Sequence, residues 1–287
     1  MFDRLAPLLF VLLWSSSFVA AKVGLVHLSP LLFVAVRLGG CAAVLVALML
    51  GLRRSWRPLR HWRWLHCGIA GASLNAVGLM APHVGLLLVP AAQIALVQSL
   101  TPLLTALLGV ALLHEHLRPR QWLGLVLGMA GVGLVVGHAA LDSPTRFTGL
   151  VLAFIGVLGL VVGTLYFGRF CRGVPLLPGA AAQFVAAALV SAAGAWLLEA
   201  PRAAWTVSAV SAVAWNTLMV SLGGMCLYSA MLARGTAARV SANFYLVPGT
   251  AAFLAWALLG EGLSALSIAG LAVASAGCWL VSGRRRG

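Results

Sequence analysis

The 287-residue chain is 62% hydrophobic and only 8% charged, which leaves too few polar residues to coat a soluble globule of this length. Apolar stretches of about 20 residues, the length that crosses a hydrocarbon core, follow one another from end to end, so the composition excludes a soluble fold. The 19 Lys and Arg residues outnumber the five Asp and Glu residues. They lie mainly in alternate loops, so we expect a lipid bilayer as partner and no nucleic acid.

Ten apolar spans are predicted along the chain. A retained first helix is expected, because the N-terminal segment runs into a span of membrane length with no small-residue cleavage site. The five cysteines are scattered and are interpreted as small buried side chains. The fold class is therefore an all-α integral membrane protein with spans at approximately 5–25, 31–51, 64–86, 90–113, 120–138, 147–167, 178–198, 207–230, 238–260 and 264–282.

The distribution of basic residues predicts an orientation. Five arginines lie between residues 53 and 63, and three more lie at residues 284–286. Cytoplasmic loops of membrane proteins carry an excess of Lys and Arg. We therefore expect the cell inner (plasma) membrane as the location, with both termini cytoplasmic.

One stretch of the chain occurs twice. Residues 100–135 return as a degraded copy at residues 246–281, and a constant shift of 146 relates Pro102 to Pro248 and Glu115 to Glu261. Because five spans separate the copies, the copies cross the membrane in opposite directions. The sequence thus predicts two inverted five-helix repeats, residues 1–140 and 145–287, an arrangement typical of secondary transporters.

Several motifs resemble one known family. Trp14-Ser-Ser-Ser-Phe18 is followed by Lys22, Ser29-Pro30 is followed by Arg37, and a proline-to-glutamate stretch ends both fourth helices of the repeats. In this combination the chain resembles a drug/metabolite transporter (DMT) superfamily member of the EamA type over nearly its whole length. The resemblance implies small-solute transport, often export, through a central cavity. We expect helices 1, 3, 4, 6, 8 and 9 to line this cavity. The chain departs from the family with His114-Glu115-His116, where a Gly-Glu pair is usual.

Prolines and polar or aromatic residues near the middle of the spans are the candidate site. Pro102 and Pro248 are predicted helix kinks, because each removes a backbone hydrogen bond near mid-membrane. Interhelical hydrogen bonding and ligand contact both remain open for each polar residue there. The predicted substrate-binding set, with Asn75 and Asn243 as its centre, is Trp14, Ser16, Asn75, Gln98, Tyr166, Tyr228, Asn243 and Tyr245.

Charged residues in or beside the spans have alternative interpretations. Arg37 lies about two turns inside helix two and is interpreted as a structural anchor, with an anionic substrate group as its other possible partner. Glu115 and Glu261 are predicted to cap and pack helix ends. Proton coupling is left open, and His83 is the residue considered for it.

The functional hypothesis is a secondary transporter that moves a small metabolite, an amino acid or related compound, outward by alternating access. Two alternatives remain: a flippase for a lipid-linked solute, and a membrane scaffold that transports nothing. The sequence holds no catalytic motif, so no enzyme activity, no catalytic residue, no metal and no cofactor are expected. Substrate identity, coupling ion and oligomeric state are left open.

Overall fold

The computed structural model describes residues 2–54, 62–113, 119–234, 242–262 and 265–282. Its first half contains α1 (Phe2–Leu25), α2 (Pro30–Gly51), α3 (Arg63–Gly71), α4 (Gly78–Gly85), α5 (Ala91–Gln98), α6 (Leu100–Leu113) and α7 (Pro119–Asp142). The second half contains α8 (Pro144–Phe170), α9 (Leu176–Leu198), α10 (Val207–Ala214), α11 (Gly224–Arg234), α12 (Leu246–Leu259) and α13 (Ala265–Ser282).

The helices of the described residues are those of a multi-pass membrane protein. Eight helical segments are long and apolar enough to cross a membrane, and they begin and end close to the first eight predicted spans. The last two predicted spans correspond to shorter apolar helices, α12 and the part of α13 that covers Ala265–Gly277. Many large apolar side chains on these helices are exposed, Leu197 and Trp196 among them. A bilayer is the solvent that such a surface requires.

The fourth and the ninth predicted spans are interrupted at equivalent places. Ser99 separates α5 from α6, and a 3₁₀ segment, Ala242–Tyr245, precedes α12. The restarts at Leu100 and Leu246 are 146 residues apart, and each places a proline, Pro102 or Pro248, at the third position of the new helix. A proline fits in a first helical turn, since its missing N–H would have no intrahelical partner there.

The third and the eighth predicted spans each contain a π-helical segment. In the third span this segment is Ala72–Val77, between α3 and α4, and in the eighth it is Trp215–Gly223, between α10 and α11. A shift of 146 carries the first segment onto residues 218–223, inside the second. π-Helical turns are rare and are frequent at functional sites, because the extra residue in the turn changes the direction in which the side chains point.

Glycines bring α7 and α13 into backbone contact. A Cβ added at Gly131 would lie 2.6 Å from Gly270 O, and a Cβ added at Gly277 would lie 2.6 Å from Gly124 O. The two helices run antiparallel, since the residue number rises by seven on one helix and falls by seven on the other between these contacts. The shift of 146 exchanges the contacts, as Gly124 matches Gly270 and Gly131 matches Gly277. The contact is therefore self-complementary, as across a two-fold axis.

A second glycine face lies on α8. A Cβ at Gly159 would lie 2.8 Å from Ser73 O, and the corresponding atoms at Gly156 and Gly163 would meet Pro82 and Leu74. Because these three residues are glycines, no side chain of α8 separates it from the third span here, and the two backbones approach closely. The shift of 146 places Phe10 and Ser17 of α1 at the positions of Gly156 and Gly163. The same face of α1 thus presents an aromatic ring and a hydroxyl.

Cysteines serve as packing residues. Cys41, Cys67 and Cys171 are free and buried, as predicted, whereas Cys226 is free but exposed. Cys67 and Cys171 pack against each other with Phe167 and Val174. Burial raises the pKa of the Cys171 thiol, which sits just beyond the end of α8. This thiol therefore stays protonated at neutral pH and packs as a small, weakly polar side chain.

Candidate functional site

A buried arginine lies at the centre of a polar cluster between the two halves. Arg37 on α2 is 4% exposed, about 10 Å along the helix axis from Pro30. Its Nε donates to Ser221 Oγ at 3.0 Å, and its Nη1 donates to Ser17 Oγ at 3.4 Å. Ser17 in turn donates to Asn216 Oδ1 at 2.8 Å. We call Ser17, Arg37, Asn216 and Ser221 the Arg37 cluster.

The π segment Trp215–Gly223 positions two members of this cluster. Asn216 and Ser221 come from its two ends, and Thr217 between them donates to the backbone carbonyl of Arg37 at 3.4 Å. Asn216 is completely buried, and its Nδ2 donates to Ala212 O at 3.2 Å. Thr217 and Ser221 of the π segment thus contact α2, while Asn216 contacts Ser17 of α1.

Two carboxylates occupy helix N-termini at one end of the bundle. We call this end, formed by the loops at residues 26–29, 86–90 and 199–206, the Glu199 end. Glu261 forms an ion pair with Lys22, and its Oε2 accepts from Ala91 N, the first residue of α5, at 2.8 Å. The predicted capping role of Glu261 is confirmed, and the capped helix belongs to the other half of the chain. Glu115, His114 and His116 lie outside the described residues.

Glu199 makes the corresponding contact at the start of α2. Its Oε1 accepts from Ser29 Oγ at 2.7 Å and Leu32 N at 2.8 Å, and its Oε2 accepts from Leu31 N at 3.2 Å. The loop beyond Glu199 also pairs with the α1–α2 loop through backbone hydrogen bonds between Ser29 N and Arg202 O and between Ala204 N and His27 O, both 3.0 Å. These contacts join the two halves at the Glu199 end.

Glu199→Ala is expected to lower the free energy of unfolding by about 1–2 kcal/mol, the usual cost of losing a helix cap. The variant leaves the N–H groups of Leu31 and Leu32 without their acceptor. The midpoint of thermal unfolding in detergent, followed by tryptophan fluorescence, measures the loss. Arg202→Ala in the same loop is the matched control, because the pairing there uses only the backbone of Arg202. Equal midpoints for the two variants would contradict the assignment.

Four aromatic rings form a second cluster, between α1, α11 and the 3₁₀ segment. Phe10, Trp14, Tyr228 and Phe244 form five ring contacts with centroid distances between 5.1 and 6.1 Å. Phe10 is fully buried, while the other three rings are partly exposed. The cluster brings together two predicted site residues, Trp14 and Tyr228, in an arrangement of tilted and edge-to-face rings that aromatic pairs favour.

The remaining predicted residues lie in several places. Ser16 donates to Leu13 O at 2.8 Å and accepts from Trp215 Nε1 at 2.9 Å, so it takes part in an interhelical hydrogen bond. Asn75 is partly buried in the π segment Ala72–Val77, the counterpart of the segment that carries Ser221. Asn243 is partly buried in the 3₁₀ segment that Tyr245 ends.

Gln98 and Tyr166 complete the set. Gln98 ends α5, and its carbonyl, which Pro102 cannot bond, accepts from Thr101 Oγ1 at 2.8 Å instead. Tyr166 lies near the end of α8, where its hydroxyl is 2.8 Å from His66 Nδ1 and its ring packs on Phe170. The structure thus places Tyr166 with residues at the start of α3 and apart from both clusters.

Sequence reasoning missed part of each cluster. Asn216, Phe10 and Phe244 were not among the predicted site residues, although the predicted Trp14 contacts both rings. His83 is buried, stacks on Phe33 with a centroid distance of 5.6 Å and donates through Nδ1 to Leu79 O at 2.7 Å. Phe33 and Arg37 are four residues apart on α2, so His83 lies on the face of α2 that carries Arg37.

Membrane-spanning helices in two matching sets, with polar residues between them, define a multi-pass transport protein. The model of the EamA-like transporter family matches residues 4–137 and 147–283. The chain therefore belongs to the EamA-like transporter family, of the DMT type, and its two halves each match the family once.

Proteins with similar sequences are also named as transport proteins. The chain is 27% identical over 281 residues to the uncharacterized inner membrane transporter YedA of Escherichia coli (strain K12), covering 95% of this chain and 89% of the relative. It is 29% identical over 312 residues to a probable terminal-alkyne amino-acid exporter of Streptantibioticus cattleyicolor, covering 98% and 95%. It is 24% identical over 290 residues to a probable amino-acid metabolite efflux pump of Salmonella typhimurium, covering 97% and 94%.

A solved structure shares the fold. The crystal structure of another protein matches this chain with a TM-score of 0.68 and 24% sequence identity, and the match covers 96% of each chain. At this level of identity the likeness concerns the fold alone. It extends over the whole bundle, both halves included.

Proposed function

We propose that the protein exports a small metabolite of the amino-acid type by alternating access between two inverted five-helix repeats, residues 1–140 and 145–287. In this proposal ten helices cross the membrane, α12 and α13 included. The Glu199 end faces outward and both termini are cytoplasmic, as the arginine-rich loop at residues 53–63 favours. The substrate crosses between the halves, near the Arg37 cluster.

The observation that carries the proposal is the self-complementary contact between α7 and α13. Gly131 meets Gly270 and Gly277 meets Gly124, and the helices run antiparallel, so the symmetry axis lies across the helices. Halves related in this way can exchange conformations, and the exchange turns a central site from one side of the membrane to the other. The paired helix restarts at Leu100 and Leu246 and the paired π segments support the same relation.

Relatives and the site together favour amino-acid-type substrates. Two of the relatives are named as a probable exporter or efflux pump for amino acids or their metabolites. The Arg37 cluster offers a cation and hydroxyls, and the aromatic cluster offers apolar surface about one to two turns away along α1. A small amphipathic molecule with a charged group matches both surfaces.

Purified protein in proteoliposomes tests the proposal. The vesicles are incubated with a pool of the 20 common amino acids, and their contents are measured by mass spectrometry with and without an imposed pH gradient. We expect selective accumulation of a subset of the pool relative to protein-free vesicles. A response to the gradient indicates proton coupling, and no response indicates facilitated diffusion.

The contents of the vesicles also separate the alternatives. If no amino acid accumulates above the protein-free level under either condition, the proposal fails. Movement of a fluorescent lipid between the leaflets in the same vesicles would instead support the flippase, and the absence of both activities would support the scaffold.

A further inference from the structure

Arg37 is a buried cation whose hydrogen-bond partners in the described part of the chain are neutral hydroxyls. Ser221 accepts from Nε and Ser17 accepts from Nη1. The third nitrogen, Nη2, has no hydrogen bond to any described residue. A guanidinium has five N–H donors in a planar fork, and burial of its charge is costly unless an anion compensates for it.

The carboxylates that the structure describes are placed elsewhere. Glu199 and Glu261, whose side chains the structure describes, contact the starts of α2 and α5. Asp3 and Asp142 are the second residue of α1 and the last residue of α7. These positions are at helix ends, whereas Arg37 lies well inside α2.

Among the described residues, none in contact with Arg37 adds a negative charge. His83, on the helix that packs against α2, interacts electrostatically with Arg37 and carries either no charge or a positive one. The local field therefore favours an anion.

The cluster also spans the boundary between the halves. Arg37 and Ser17 come from the first half, and Asn216 and Ser221 come from the second. If the halves move relative to each other, as the proposed function requires, these hydrogen bonds change with the motion. A ligand held here would be bound by groups from both halves, as expected of a site that turns from one side of the membrane to the other.

We infer that the Arg37 guanidinium is the carboxylate subsite of the transport pathway, with Ser17 and Ser221 holding it in place, so that a free carboxylate is required of the substrate. The inference rests on the proposed function and narrows its substrate class to amino acids and related compounds with an unmodified carboxylate. Guanidinium and carboxylate match in geometry and form two parallel hydrogen bonds.

The test compares acids with their amides. Proteoliposomes are offered L-leucine, L-phenylalanine and L-threonine, each beside its carboxamide, which has nearly the same shape without the negative charge. For any of the three that the wild-type protein moves, we expect the acid to enter about 10- to 100-fold faster than the amide, the factor that a charge-assisted hydrogen bond supplies. Arg37→Met is expected to abolish this preference by slowing the acid, and Arg37→Lys to restore part of it.

Two further variants keep the test independent of folding. Ser17→Ala and Ser221→Ala retain the cation and remove one hydrogen bond each, and we expect a smaller loss of preference than for Arg37→Met. Size-exclusion chromatography of each variant checks that it is folded. Equal rates for acid and amide in the wild-type protein, or an unchanged preference in folded Arg37→Met and Arg37→Lys, overturn the inference and leave the proposed function standing. If the wild-type protein moves none of the six compounds nor any of the 20 amino acids, both fail together.

Discussion

Gly277→Ala is expected to lower the midpoint of thermal unfolding by about 5–10 °C, which corresponds to about 2–3 kcal/mol of overpacking. The new methyl group would lie 2.6 Å from Gly124 O and 2.7 Å from Gly128 Cα, in contact with backbone that cannot rotate away. The helices α7 and α13 must therefore separate, and the separation weakens contacts along their length. Gly131→Ala, 2.6 Å from Gly270 O, is expected to have a similar effect, because the contact is self-complementary.

Gly133→Ala on α7 is the matched control for these variants. A Cβ there meets nothing within 4 Å, and the residue is exposed on the bundle surface. Alanine is a better helix former than glycine by up to about 1 kcal/mol, so this variant should be unchanged or slightly more stable. The two sets of variants thus differ in the sign of their effect. A midpoint for Gly277→Ala equal to that of Gly133→Ala would show that the two helices do not pack as closely as described.

Much of the scaffold could be predicted because its signals are local or repeated. The length of the apolar stretches located the helices within a few residues, since only a helix of about 20 residues satisfies its backbone across a hydrocarbon core. The shift of 146 between Pro102 and Pro248 also relates the helix restarts at Leu100 and Leu246. The proline near each restart is a local sequence signal that does not depend on the neighbouring helices.

The geometry around Arg37 could not be predicted in the same way. Whether a helix contains a π segment depends on how it packs against its neighbours. The residues Trp215–Gly223 carry no local sequence feature that distinguishes them from an ordinary helix. The pairing of Arg37 with Ser221 joins residues 184 apart. Sequence reasoning identified Arg37 as a residue in need of a partner, but the partners follow from the packing of three helices.

The depth of a residue in the membrane also did not predict which residues lie near it. Tyr166 was grouped with Trp14 and Tyr228 on its position within a span, yet Tyr166 contacts His66 and Phe170 near the end of α8. Position along a helix specifies depth, whereas the face of the helix specifies the neighbours. For helices that are apolar on all sides, the faces cannot be distinguished by hydrophobic periodicity.

Glu261→Ala is expected to destabilise the protein by about 2–3 kcal/mol, because it removes an ion pair and a helix cap together. The side chains of Lys22 and Glu261 are only 23% and 15% exposed, so solvent screens the pair weakly. The same carboxylate accepts from Ala91 N. Glu261→Gln retains an oxygen for Ala91 N and loses the charge, so it should cost less. Thermal unfolding of the purified variants in detergent, over a range of salt concentrations, measures both effects.

An exchange of the two charges separates the ion pair from the cap. Lys22→Glu combined with Glu261→Lys restores opposite charges across the contact, but lysine has no acceptor for Ala91 N and places a positive charge at the start of α5. We therefore expect the double variant to be more stable than Lys22→Glu alone and less stable than the wild-type protein by about 1–2 kcal/mol. Full recovery would mean that the cap contributes nothing, and no recovery would mean that the ion pair contributes nothing. Partial recovery is the result required if Glu261 joins the two halves through both interactions at once.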